Sequence, residues 1–237
     1  MRLCMFHPLD HPLDRGWVGR IEGDRVIQLA AQTLQSLFTG GGSAREHAEY
    51  PLAEVRLLAP VLHPPAVRIF EDRTGFAFAN PAAIVGPGAA VLTRHGAQSN
   101  NPSQERLTLL ARVAGVIGAD GAVAGFTAFA DWRDLARAAP KDRDFALGLG
   151  PVVVTPDELH SDGREAIVRV DGVERARGGF DDFDWDSARD LIVDRTRLYP
   201  GDLLVGPPLA AVDGIASGEV VELEVPVIGV LEQVVSG

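Results

Sequence analysis

"LTLLARVAGVIG", residues 107–118, and "VAGFTAFADW", residues 123–132, are two apolar runs joined by a Gly-Ala-Asp-Gly turn. Short runs rich in Val, Ile, Thr and aromatic residues, bounded by turn residues, read as strands. The first run carries an arginine, Arg112, in its middle. A guanidinium in a strand buried on both faces is costly unless a neighbour compensates its charge. The partner of Arg112 is therefore the question this hairpin poses.

Outward from the hairpin, the same pattern repeats. "NPAAIVGPGAAVL" (80–92), "GPVVVTPDEL" (150–159), "EAIVRVDGVERAR" (165–177), "PGDLLVGPPLA" (200–210) and "EVVELEVPVIGVLEQVV" (219–235) are apolar segments cut by Gly, Pro and Asp. Beyond the hairpin on this side, "DWRDLARAAP" (131–140) and "SARDLIVDRTRL" (187–198) have a helical pattern, the first ending at Pro140. Many strands with few helices between them indicate an α+β, mainly β fold and argue against a wound parallel sheet.

Toward the N-terminus, "WVGRIEGDRVIQL" (17–29) alternates about a Gly-Asp pair and reads as a hairpin. A short helix, "AAQTLQSLF" (30–38), follows, and "TGGGSAREHAEYP" (39–51) lacks periodicity and reads as a glycine-rich loop. The expected division is a small N-terminal domain over residues 1–60 and a larger C-terminal domain over residues 61–237. The tandem "HPLDHPLD" (7–14) holds two histidines and two aspartates, but Pro8 and Pro12 keep it extended, and it reads as an exposed loop.

The chain has 237 residues, of which 33 are acidic and 22 basic, for a formal charge of −11. No segment gathers Lys and Arg on one face, so a nucleic-acid partner is not expected. Neither a signal peptide nor a bilayer-length apolar run is evident, and a cytoplasmic protein without membrane contact is expected. The lone Cys4 has no partner for a disulfide and reads as a packed strand residue. "FDDFDWDSARD" (180–190) reads as a solvated loop entering a helix, with an acid near its N-terminus.

Taken in order, "NPAAIVGPG", "VAGVIG", "VAGFTAFADWRDL", "DFALGLGPVVVTPDEL", "VDGVERARG", "LYPGDLLVGPP" and "GEVVELEVPVIGVL" resemble the fumarylacetoacetate hydrolase family, and "EGDRVIQL" resembles its N-terminal hairpin. The resemblance implies a C-terminal mixed β-roll that holds the active site, a small N-terminal α/β domain, and a homodimer. It implies carbon–carbon cleavage, decarboxylation or tautomerisation of oxo and diketo acids through an enolate. In the family a hard cation, Mg²⁺ or Mn²⁺, clamps the oxo-acid oxygens and stabilises the oxyanion.

Laid onto this chain, the family's two metal-binding glutamates fall on Leu110 and Arg112, and only the aspartate is kept, as Asp131. Glu105 is the one acid nearby, too far upstream to substitute. No metal site and no cofactor are therefore expected. Arg112 is expected to fill the vacated place and pair with Asp131, because alternation puts Thr108, Leu110, Arg112 and Ala114 on one face.

The stretch "RIFEDRTGFAF" (68–78) stands where relatives carry a water-activating histidine and glutamate; it has Glu71 and Asp72 but no histidine. His95 lies in a polar loop, where a histidine needs no site to explain it. By the resemblance Arg112, Asp131 and Lys141 are the candidate catalytic residues, and Arg133, Phe70 and Gly206 the candidate substrate contacts. Lys141 also reads as a solvated loop lysine, and Gly206 as a simple turn. The ligand is expected to be a small anionic molecule, an oxo-acid, diketo acid or polyketide-like compound. The competing expectation is a non-catalytic relative that binds a ligand or pairs with an active homologue, with Arg112 as a structural plug.

Overall fold

Strands dominate the computed structural model, which describes residues 1–72, 74–92, 106–159, 165–179 and 183–237. In chain order they are β1 (Arg2–Pro8), β2 (Trp17–Glu22) and β3 (Arg25–Ala30), then helix α1 (Leu34–Phe38), β4 (Ser43–Pro51), β5 (Val55–Leu58), β6 (Val67–Phe70), β7 (Phe76–Ala79), β8 (Ile84–Val85) and β9 (Ala90–Leu92). The two long runs are β10 (Leu107–Ile117) and β11 (Val123–Arg133). After them come β12 (Leu147–Val154), β13 (Glu165–Val170), β14 (Val173–Gly179), helix α2 (Trp185–Val193), β15 (Leu203–Val205), β16 (Ala210–Ile215), β17 (Val220–Val225) and β18 (Gly229–Ser236).

One large sheet runs β4-β3-β2-β1-β12-β11-β10-β15-β6-β7, with β5 also on β1, β8 on β12 and β16 on β10. A second sheet runs β14-β13-β17-β18-β9. The N-terminal hairpin is continuous with the larger sheet, since β1 pairs antiparallel with β12, Leu3 opposite Val153.

Strand β10 is apolar apart from Thr108 and Arg112 because both its faces are covered. Leu107, Leu109, Ala111 and Val113 pack with Ala130 and Trp132 of β11 against Val168, Leu223 and Leu231 of the second sheet. On the opposite face Ala114 and Val116 join Phe129, Leu3, Met5, Val67 and Ile69. Each Val, Leu, Ile, Phe or Met among them contributes about 1.5–3 kcal/mol on burial, so this doubly covered hairpin is the centre of the fold. Cys4 lies in the core of β1, and burial pushes its thiol up to about 12, which leaves it inert.

Two segments depart from the sequence reading. Residues 39–51, expected as a loop, hold β4, an edge strand paired to β3. Its polar sequence suits an edge, and Glu46 and Glu49 are held by Arg20 and Arg25 of the neighbouring strands. Residues 131–140, expected to turn helical, instead continue β11 to Arg133 and then form turns. Asp134 accepts hydrogen bonds from Ala136 N and from Arg137 Nε, a local arrangement that competes with a helix too short to nucleate well. The acidic stretch entering α2 does supply its cap: Asp184 Oδ1 accepts from Asp186 N and Ser187 N. "HPLDHPLD" runs from the buried end of β1 into an exposed loop. Among the described residues no helix is long and apolar enough to cross a membrane. His95 and Glu105 lie outside the described residues.

Candidate active site

The antiparallel register of β10 and β11 sets Leu110 opposite Asp131, Arg112 opposite Phe129 and Thr108 opposite Arg133. With a side-chain period of two, Leu110 and Arg112 share a face with Phe129, Asp131 and Arg133. Arg112 and Asp131 are diagonal neighbours on that face, both without solvent exposure.

The partner of Arg112 is composite. Its Nε lies 3.0 Å from Asp131 Oδ2, an ion pair without hydrogen-bond alignment. Its Nη1 donates to Phe70 O at 3.0 Å and Gly206 O at 3.1 Å, and its Nη2 donates to Glu71 Oε2 at 2.8 Å. Arg133 holds Asp131 from the other side through a fork, Nε to Oδ1 and Nη2 to Oδ2, each 2.8 Å. Bidentate geometry of this kind is the strongest arginine–carboxylate contact and compensates burial of both groups.

Backbone geometry explains why two carbonyls serve Arg112. Gly206 N donates to Val113 O and Leu209 N to Ala111 O, but Pro207 and Pro208 between them have no N–H to give the ladder. The Gly206 carbonyl thus faces the guanidinium. A Cβ there would sit 3.3 Å from Trp185 Cη2, so the close approach suits glycine. Phe70 ends β6 and offers its carbonyl, while its ring is buried with Phe76 and Phe183.

The charged cluster extends beyond the sequence-level candidates. Glu71 Oε1 accepts from Arg133 Nη2 at 3.1 Å and Arg143 Nη2 at 3.3 Å, and Asp142 lies 3.5 Å from Arg133 Nη1 and 3.9 Å from Arg143 Nε. Burial works to raise the Glu71 carboxyl, but its hydrogen bond to Arg112 and the charges of Arg112, Arg133 and Arg143 outweigh that and hold it below the usual glutamate range. Burial works to lower the Arg133 guanidinium, and the Asp131 and Glu71 carboxylates outweigh it and raise it. Lys141 is not brought into the cluster. Its exposed ammonium pairs with Asp144 at 2.7 Å, while the following residues, Asp142 and Arg143, turn inward.

A divalent cation does not fit these residues. Both Asp131 oxygens are taken by guanidinium nitrogens, and Leu110 stands opposite. Among the described residues no group of three or more His, Cys, Asp or Glu is placed to hold a metal.

Comparison with known proteins gives a consistent picture. The family model "Fumarylacetoacetate (FAA) hydrolase C-terminal" matches residues 53–236, and "Rv2993c-like, N-terminal" matches residues 1–60. Comparison with the curated proteins finds none that matches. Among solved structures, maleylpyruvate hydrolase from Sphingobium sp. SYK-6, in complex with manganese(II) and pyruvate, is 19% identical, with all of both chains covered and a TM-score of 0.75. 5-Carboxymethyl-2-hydroxymuconate delta-isomerase from Mycobacterium smegmatis is 22% identical, covering 100% of this chain and 99% of its own, at a TM-score of 0.73. 2-Keto-3-deoxy-D-arabinonate dehydratase, complexed with magnesium and 2,5-dioxopentanoate, is 16% identical at 0.75, covering 100% of this chain and 99% of its own.

These structures correct one expectation. A protein of this fold is in complex with manganese(II) and pyruvate, so the expectation that no cofactor is used is withdrawn.

Proposed function

Because the chain belongs to the fumarylacetoacetate hydrolase family, matched over residues 53–236, we propose that it is an enzyme acting on a small oxo-acid, diketo acid or polyketide-like substrate by enolate-type chemistry. Tautomerisation, decarboxylation, carbon–carbon cleavage and cyclisation all share that intermediate. The similar structures bear the names of a hydrolase, an isomerase and a dehydratase, whose named substrates are acids with a keto or enol oxygen.

The observation that carries this reading is the pair of guanidiniums, Arg112 and Arg133, fixed on one carboxylate, Asp131, on the shared face of β10 and β11. Donors held in place by buried partners cost no reorganisation when negative charge develops, and such preorganisation is worth most where water is excluded. Arg112 and Arg133 bind and orient the anionic end of the substrate. Arginine stays protonated, so neither moves a proton; the proton lost from the carbon beside the keto group passes to solvent, and the guanidiniums stabilise the enolate left behind. Asp131 positions both without touching the substrate. The Phe70 and Gly206 carbonyls fix the Arg112 plane.

Proton NMR of pyruvate and oxaloacetate in D2O, with and without added Mn²⁺, tests this. Deuterium entry at the carbon beside the keto group reports enolate formation. The chain should accelerate it over buffer holding the same Mn²⁺, and Arg133→Lys should slow it by about tenfold or more. Exchange no faster than buffer under both conditions overturns the reading. That result would favour a ligand-binding or partner role, which draws its support from the engagement of both Nη atoms of Arg112 within the protein.

A further inference from the structure

Glu71 is the exposed member of an otherwise covered cluster. Its side chain is 51% exposed, whereas those of Arg112, Arg133 and Arg143 are 0%, 9% and 19% exposed. Its two oxygens accept from three separate guanidiniums, each through Nη2, at 2.8, 3.1 and 3.3 Å. Three guanidiniums converging on one solvent-facing carboxylate form the donor pattern that a ligand carboxylate requires.

Charge counting points the same way. Arg112, Arg133 and Arg143 carry three positive charges, and Asp131 and Asp142, more buried than Glu71, return two. Without Glu71 the cluster holds one cation in excess, which one carboxylate balances. Buried charge demands a counter-ion, but nothing requires that it come from this chain.

We propose that the Arg112, Arg133 and Arg143 guanidiniums form a carboxylate site that Glu71 occupies from within, and that the carboxylate of an oxo-acid enters by displacing it. Glu71 stands at the end of β6, where the Phe70 carbonyl remains tied to Arg112, so the glutamate side chain can swing outward while the strand stays in place. A neutral carbonyl compound gains nothing from the exchange, so the resident carboxylate selects for acids. This inference rests on the oxo-acid reading above.

The test is calorimetric titration of the full chain with pyruvate and with methyl pyruvate, its uncharged ester, for the wild type, Glu71→Gln, Glu71→Ala and Asp142→Asn, with melting curves to confirm folding. Removing the competing carboxylate should tighten pyruvate binding by about tenfold or more in both Glu71 variants. Methyl pyruvate should not respond. Asp142→Asn removes the same charge but leaves the Glu71 side chain in the site, and should tighten pyruvate binding less than either Glu71 variant does. If the wild type binds pyruvate and the Glu71 variants bind it no better, displacement is wrong while the oxo-acid reading stands. Equal tightening in Glu71→Gln and Asp142→Asn would reduce the effect to overall charge and overturn the proposal. No saturable pyruvate binding by the wild type or any variant would remove both this inference and the oxo-acid reading.

Discussion

Arg133 and Asp131, two residues apart on one strand, lie side by side and share two hydrogen bonds of 2.8 Å, with Asp131 wholly buried. That fork leaves Asp131 Oδ2 shared with Arg112, so a single carboxylate anchors two cations across the β10–β11 ladder. The hairpin at the centre of the fold thus carries a buried ionic group on a face whose other polar residues are Thr108 and Thr127.

Asp131→Asn should be severely destabilising. It keeps the volume but leaves two buried guanidiniums without their shared anion, and unpairing a buried ion costs about 3–5 kcal/mol. Urea denaturation should show the midpoint falling with an unchanged slope. A loss under about 1 kcal/mol would mean that water or the remaining carboxylates already neutralise the pair.

Replacement of the arginines should separate by depth. A lysine at position 112 cannot reach Phe70 O, Gly206 O and Glu71 together, and each lost charged hydrogen bond is worth about 1.5–3 kcal/mol. Arg143 makes longer contacts, at 3.3 and 3.9 Å, near the surface, so Arg143→Ala should cost about 0–1 kcal/mol. Thermal melting of Arg112→Lys and Arg143→Ala checks the order, and equal losses would contradict it.

Much of this arrangement is written in the sequence. Alternation places Leu110 and Arg112 on one face, the family resemblance implies that Asp131 of the next strand lies beside it, and the apolar runs on either side identify a strand covered on both sides. The same period of two joins Arg133 to Asp131 within "DWR", a signal that a helical reading of 131–140 obscures. The rest was not legible because it depends on tertiary proximity. Nothing local distinguishes Lys141 from Arg143 in "KDRD", yet only the latter turns toward Glu71. Similarly, the polar run 43–51 looks like loop until Arg20 and Arg25 of neighbouring strands are set beside Glu46 and Glu49. Edge strands carry little of the apolar pattern by which strands are recognised.

A second contact links the two sheets and is sensitive to a single methyl group. Trp132 Nε1 donates to Gln233 Oε1 at 2.8 Å in the core, and a Cβ on Gly148 would lie 2.4 Å from that same oxygen and 2.8 Å from Ala130 Cβ. Gly148→Ala should displace Gln233 and cost about 1–3 kcal/mol, the usual penalty of overpacking. In a Gln233→Ala background part of that cost should vanish, and a double-mutant cycle measures the coupling. Strict additivity would show that Ala130, not Gln233, sets the penalty.

Acid should weaken the cluster through Glu71. Its carboxyl is held below its ordinary value, 4.5, in the folded chain, with burial opposing and the three arginines prevailing. A group depressed on folding stabilises fully above its unfolded value, and that contribution disappears as pH falls through the folded one. Glu71 is half exposed, so the amount is modest and best read as a difference. Melting temperatures of the wild type and Glu71→Gln should differ most near neutrality and converge on acidification below the ordinary glutamate range. Both should fall in acid as other paired carboxylates protonate, and only the gap between them reports on Glu71. A gap that stays constant into acid would show that the variant acts through packing instead of charge.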